Sequence, residues 1–448
     1  MKSESPNVVF VFGDQWRAQA VGYAGNSVVQ TPHIDALAGE SINFTNAVAG
    51  IPVCTPWRAC FLTGRYAHTH GVFLNDVCLS NDAVSIAQAF DGAGYQTAYI
   101  GKWHIDGHGR SNFIPRERRQ GFDFWRVLEC THNYNNSYYY GDANEKLKWE
   151  GYDAICQTRE AQRYISDYDS DDPFLLVLSW GPPHAPYETA PDEYRARYRP
   201  EDIELRPNVT DEVADRARAD IAGYYAHCTA LDDCIGDLLK TLDEKGIADN
   251  TIFVFTSDHG DMLGSRGQWK KQRPWGESIM VPFLLRYPAV FGRDGRRFET
   301  PINTPDIMPT LLGLAGADIP DTVEGADYSG FLKGEENLDI DSALISCLAP
   351  FGQYTREQGG REYRGLYTTR YTYARDLDGP WLLYDNETDP YQLTNLCNDQ
   401  EHSELQADLD AKLNAKLREL GDEFLPADEY LKRWGYVVNE TGTVPYTN

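Results

Sequence analysis

Five continuous apolar runs mark the first ~320 residues: NVVFVFGD (7–14), YQTAYIG (95–101), FLLVLSW (174–180), TIFVFTSD (251–258) and VPFLLRYP (281–288). They are rich in β-branched and aromatic residues and do not alternate with polar positions. That is the pattern of parallel strands covered on both faces. Helix-spaced apolar positions lie between them, near 33–39, 82–93, 211–244 and 303–315. The alternation predicts an α/β fold built on a large, mostly parallel sheet flanked by helices. Ligands bind such sheets beyond the carboxyl ends of the strands. Asp14, Lys102 and Asp258 fall at or just past three of those ends.

After about residue 340 the pattern changes. SALISCL, REYRGLYTTRYTYARD and GPWLLYDNETDP predict short antiparallel strands, and a charged helix is expected near 401–420. A division at 335–345, after LKGEENLD, separates a large domain over 1–340, which holds the strand ends above, from a small α+β domain over 341–448.

Charge and composition narrow the function. The chain has 448 residues, is 42% hydrophobic and carries a net charge of -27, from 68 acidic and 41 basic residues. Nucleic acid and anionic membrane surfaces are poor partners for such a chain, because binding them takes surplus Lys and Arg. No run approaches the roughly 18 apolar residues of a membrane span. The short polar leader before NVVFVFGD lacks a signal-peptide pattern. The chain as it stands therefore reads as cytoplasmic, or as periplasmic or secreted if a leader was trimmed. The nine cysteines lack regular spacing, so most are expected as buried free thiols.

One cysteine stands apart. In IPVCTPWRACFLTGRY (51–66), Pro56 follows Cys54 at a helix-start position. Unpaired N–H groups at a helix N-terminus attract anions and lower a thiol's pKa. Alone, Cys54 could equally be a buried residue in a turn. Two strand ends add hard donors and an imidazole, Asp14-Gln15 and Asp258-His259, a set suited to calcium, magnesium or manganese. Each pair could separately be a cap or turn. Lys102 and His104 are two apart in GKWH, on one side of an extended segment. His184 lies in the Pro-flanked GPPHAPY, and SRGQWKKQRPWGES supplies Lys270, Lys271 and Arg273. Converging on one sheet end, these groups would form a cationic pocket for a tetrahedral anion.

CTPWRACFLTGR resembles the sulfatase signature, Cys-x-Pro-x-Arg followed by Thr-Gly-Arg, here Thr63-Gly64-Arg65. GDQ, TPHIDALA, GKWH, PPHAPY, TSDHGD and ESIMVP follow in the order of that family, over roughly residues 7–330. The resemblance implies an alkaline-phosphatase-like sandwich and a sulfuric ester hydrolase. It implies that a maturation enzyme oxidises Cys54 to formylglycine, whose hydrate is the nucleophile. It assigns Asp14, Gln15, Cys54, Asp258 and His259 to a divalent metal, calcium first, with magnesium or manganese as alternatives. It places Arg58 at the hydrated aldehyde and Lys102, His104, His184 and Lys271 around the sulfate, with His184 as acid and His104 as base. Lys271 is favoured over Lys270 because family spacing puts the lysine four residues before an aromatic, here Trp275.

Gln15 and His259 replace the Asp and Asn of many sulfatases, and Trp57 a small residue. The first two resemble the choline-sulfatase and phosphonate-monoester-hydrolase branch. A phosphonate monoester or phosphodiester hydrolase is thus an alternative, and a non-catalytic sulfoglycan-binding protein another. THNYNNSYYYGD (131–142), with Trp57, Trp103 and Trp269, suggests a sulfated saccharide as substrate.

Overall fold

The computed structural model describes residues 5–445. The leader residues 1–4 and the tail 446–448 lie outside the described residues. An eight-stranded sheet forms the centre. Its strands are β1 (Asn7–Asp14), β2 (Ile42–Phe44), β3 (Gln96–Lys102), β4 (Phe124–Leu128), β5 (Phe174–Pro183), β6 (Thr251–Ser257), β7 (Leu284–Arg286) and β8 (Arg296–Phe298). They are ordered β8-β2-β7-β6-β1-β5-β3-β4. All five apolar runs enter this sheet. The last of them, β7, runs antiparallel to β6 and β2 rather than parallel. A three-residue buried strand is covered on both faces whichever way it runs, so its apolar pattern carries no direction.

Along β1, Val8, Phe10 and Phe12 enter one buried layer while Val9 and Val11 enter the other. The same division holds for Leu175 and Val177 against Leu176 and Leu178 on β5. Each layer is closed by helices. The first takes α2 (Cys54–Thr63), α3 (Ile86–Gly92) and α6 (Ile307–Ala315). The second takes α1 (Pro32–Ala38), α4 (Asp153–Asp167) and the long α5 (Ala214–Lys245). None of the described helices is long and apolar enough to cross a membrane.

A four-stranded antiparallel sheet follows, β9 (Ser342–Cys347), β10 (Tyr363–Thr368), β11 (Tyr371–Asp376) and β12 (Gly379–Asp385). Leu409, Leu413 and Leu417 of α7 (Ser403–Glu419) cover one face. The other face buries Ala343 and Ile345 against Val48, Ile279 and Met280. The larger and smaller parts therefore share apolar surface, and the loop before β10 reaches the loops beyond the carboxyl ends of the large sheet's strands. There the Tyr354 hydroxyl donates to the Trp269 carbonyl at 2.5 Å, and Arg273 Nη1 donates to the Gly359 carbonyl at 2.7 Å.

Candidate active site

β1 and β6 are neighbours in register, Gly13 opposite Ser257, so the next residues, Asp14 and Asp258, emerge side by side. Cys54 begins α2 after the extended cap residue Val53, as expected from Pro56. The ligating atoms of Asp14, Cys54, Asp258 and His259 all lie within 4.8 Å of one another, and all four residues are buried. The His259 Nδ1 lies 2.9 Å from the Gly260 carbonyl, which can only accept, so Nδ1 carries the proton. The bare Nε2 then faces the cluster, 3.1 Å from Cys54 Sγ, 3.7 Å from Asp14 Oδ1 and 3.6 Å from Asp258 Oδ1. A metal-ligating histidine takes this tautomer. Two carboxylates, an imidazole lone pair and a sulfur converging in one buried cluster fit a divalent cation.

Gln15 follows Asp14 in a left-handed conformation, φ 72°. Its Nε2 donates to Asp261 Oδ2 at 2.6 Å, which aims its Oε1 at the Lys271 ammonium, 2.8 Å away. Lys271 Nζ also lies 3.0 Å from His184 Nε2. His184 Nδ1 sits 2.8 Å from the Ala185 carbonyl and is therefore protonated, so Nε2 accepts from Lys271. Burial, then the Lys271 charge, holds His184 well below the usual imidazole range. In the resting site the mobile proton of this pair is on the lysine.

Lys102 ends β3 and donates to Asp14 Oδ2 at 2.6 Å. Burial alone would raise the Asp14 carboxyl, but Lys102, His184, His259 and Lys271 hold it well below the usual carboxylate range. Burial and the charge of Asp14 push its neighbour Asp258 up to about 7. Burial and Asp14 also oppose ionisation of Cys54, yet Lys271, Lys102 and His259 outweigh them and lower its thiol. Arg58 is 1% exposed and reaches across the centre. Its Nη2 lies 3.3 Å from both Asp14 Oδ2 and Asp258 Oδ2. Its Nη1 donates at 2.7 Å to the Lys102 carbonyl and to Ser179 Oγ.

Two of the sequence expectations change. Lys102 and His104 do not share one side of an extended segment, because His104 is left-handed, φ 61°. Its Nε2 turns to Asp76 Oδ1, 2.9 Å away, while Lys102 turns to Asp14. Trp57 and Trp103 are each 1% exposed and serve the aromatic core, Trp57 against Phe12 and Phe61 and Trp103 against Trp125. Neither can meet a saccharide. Trp269 is half-buried, with the Arg216 guanidinium 3.8 Å from its ring centroid. The 131–142 stretch does reach the site. Tyr134 is buried under it, and His132 stacks on His184 at 4.7 Å and 9°.

Asp76, Asp261, Ser179 and His132 also belong to the site. Two of them had a visible signal, Asp261 as the second acid of TSDHGD and His132 within the 131–142 stretch.

The sulfatase family profile matches residues 6–317, and the C-terminal profile of N-sulphoglucosamine sulphohydrolase matches 264–419. The chain is 48% identical to an ulvan-active sulfatase of Formosa agariphila, over 98% of this chain and 87% of that protein. A solved structure from work on how Bacteroides thetaiotaomicron metabolises multiple glycosaminoglycans superposes with a TM-score of 0.85 at 28% identity, covering 96% of this chain and 99% of that one. The phosphonate monoester hydrolase of Agrobacterium radiobacter shares the fold with a TM-score of 0.76 at 22% identity, over 98% and 99% of the two chains. The chain belongs to the sulfatase family of the alkaline-phosphatase-like superfamily, whose members are sulfuric ester hydrolases.

Proposed function

We propose that this protein removes sulfate from a sulfated carbohydrate, with Cys54 matured to formylglycine and a divalent cation, calcium first, held by Asp14, Gln15, Asp258 and His259. One observation carries the reading: Cys54 opens a helix inside a buried cluster of metal-type donors, with the Lys102 and Lys271 ammonium groups beside it. The 48% identity to an ulvan-active sulfatase supports a polysaccharide substrate. The hydrated aldehyde supplies a nucleophilic hydroxyl and a route for sulfate to leave, and the cation supplies charge that strengthens as the ester breaks.

The chain's own groups do the rest. Lys102 and Lys271 neutralise the ester's anionic oxygens, which otherwise repel a nucleophile. Arg58 fixes Asp14 and Asp258 and so the donor geometry. The leaving alcohol is protonated by the Lys271–His184 pair, the proton starting on Lys271 and passing through His184 Nε2 to the alcohol oxygen. His104 takes a proton when sulfate departs. A formylglycine-generating enzyme is the implied maturation partner.

Mass spectrometry of the Cys54 peptide, from protein made with the maturation system, tests the nucleophile. An unmodified thiol in fully active protein refutes it. A phosphorus-cleaving reading has specific support in Gln15 and His259, and the shared fold of the phosphonate monoester hydrolase does not separate the two. Turnover of a sulfated saccharide should exceed that of a phosphodiester, and the reverse ranking overturns the assignment.

A further inference from the structure

We infer that Asp76 is a positioning residue for His104, and that it aims His104 Nδ1 for the step in which sulfate leaves. The inference rests on the proposed action of His104 at the reacting group. Three observations carry it.

The first is backbone conformation. Asp76 and His104 are 3% and 2% exposed, and both are left-handed, with φ of 65° and 61°. Such residues are uncommon outside glycine, and they persist where surrounding structure over-determines them. Here two of them meet side chain to side chain.

The second is the contact itself. His104 Nε2 lies 2.9 Å from Asp76 Oδ1, and Arg110 clamps the same carboxylate with Nε at 3.2 Å from Oδ1 and Nη2 at 2.9 Å from Oδ2. A carboxylate held this way only accepts, so the proton between the pair stays on Nε2. Nδ1 is buried, makes no contact to an oxygen or nitrogen, and is left as the working atom, with the Cys130 thiol beside the ring.

The third is the link to the nucleophile. The Asp76 amide donates to Thr55 Oγ1 at 3.4 Å, and the Thr55 amide donates to Asn75 Oδ1 at 3.2 Å. One turn is therefore fastened both to His104 and to the residue after Cys54.

In the step itself, Nδ1 accepts the proton of the free hydroxyl on residue 54. The O–H pair becomes the new C=O bond, and sulfate departs with the pair of the broken C–O bond. The groups facing His104 are Asp76, Cys130, Lys102 and Glu129. Burial depresses the imidazole, but the Cys130 and Asp76 contacts lift it above its ordinary range despite Lys102. Loss of the Asp76 charge therefore moves the acidic limb of kcat to lower pH.

The test uses matured, metal-loaded enzyme and an aryl sulfate, and compares Asp76→Asn, Asp76→Glu, His104→Asn and the Asp76→Asn/His104→Asn double variant. Asp76→Asn is expected to lower kcat roughly 10- to 100-fold, to keep a first-turnover burst of alcohol, and to shift the acidic limb downward. The double variant should be no slower than His104→Asn alone. Asp76→Glu should restore the limb and part of kcat, and it is the deciding variant if Asp76→Asn does not fold. Multiplicative losses in the double variant, or an unmoved limb, overturn the Asp76 role while leaving that of His104 intact. Wild-type rates in His104→Asn overturn the His104 reading and this inference with it.

Discussion

Among the described residues, Arg58 is the one arginine paired with both carboxylates of the buried cluster, 3.3 Å from each. Arg58→Met keeps a stem of similar volume beside Phe12, whose ring centroid lies 4.8 Å from the guanidinium, and removes the charge. Two buried carboxylates then keep the Lys102 and Lys271 ammonium groups as near cations, the Lys102 carbonyl keeps only the Tyr99 hydroxyl as donor, and the Ser179 hydroxyl loses the guanidinium. Removing one partner of a buried ion pair costs about 3–5 kcal/mol. The unfolding entropy, roughly 2.1 cal/mol/K per residue, makes 1 kcal/mol worth only about 1 °C in a chain of this length. The expected drop in melting midpoint is therefore about 3–5 °C in EDTA. Saturating calcium places positive charge between the same carboxylates and adds about 2.7 kcal/mol at a hundredfold excess over Kd. With less competing charge the variant should gain more from calcium than the wild type, so its deficit shrinks. Calorimetry with EDTA and with calcium measures both numbers. A variant melting within 1 °C of wild type in EDTA, or a deficit indifferent to calcium, refutes the argument.

Two further predictions follow from the same geometry. His184→Ala should slow saccharide desulfation by about 10²–10⁴-fold, and should slow an aryl sulfate with an acidic leaving group far less; equal losses on both would remove His184 from alcohol protonation. Asp153 is buried, its Oδ1 lacks a partner, and burial pushes its carboxyl from 3.8 up to about 7. Its folded pKa is raised, so the stability it contributes is full below pH 3.8 and is lost as pH rises through about 7. The ceiling of that loss is about 4 kcal/mol. Asp153→Asn should therefore melt higher at pH 8, with the gain vanishing near pH 4, and a gain independent of pH would contradict this.

The central sheet was legible because its strands are buried on both sides. Every residue of a run such as VVFVF (8–12) must be apolar when alternate positions enter two different layers. Metal-type donors at strand ends were legible for a related reason. Polar residues that end an apolar run mark where the strand leaves the core, and adjacent parallel strands bring such ends together. The environment of His104 was not legible. A two-residue spacing predicts one side of a strand only while the backbone stays extended, and φ 61° at His104 breaks that condition. Asp76 lies in FLNDV, where nothing periodic marks it, and its place beside His104 comes from a turn that returns to Thr55. Tryptophans near the motifs suggested sugar-binding faces, but large aromatics more often fill cores, and Trp57 and Trp103 do so here.

Asp261 shows how a residue with no contact to the cluster can still set its charge. Its Oδ2 receives Gln15 Nε2 and the Tyr187 hydroxyl, and its Oδ1 receives the backbone N–H groups of Leu263 and Lys270 at 2.9 and 2.7 Å. A carboxylate accepts only, so Gln15 must turn its NH₂ toward Asp261 and its oxygen toward Lys271 and the site. The same carboxylate fixes the backbone one residue before Lys271. As the proposed fourth ligand, Gln15 would offer an oxygen without adding charge, where an Asp would add a third carboxylate beside Asp14 and Asp258. Asp261→Asn removes the compulsion, since an amide can pair with either end of Gln15. The expected result is a 10- to 100-fold weaker calcium affinity by calorimetric titration, with an unchanged fold, because the backbone N–H groups keep an oxygen to donate to. Gln15→Ala should weaken calcium by at least as much. If Asp261→Asn binds calcium as tightly as wild type while Gln15→Ala does not, Gln15 is oriented by Lys271 alone.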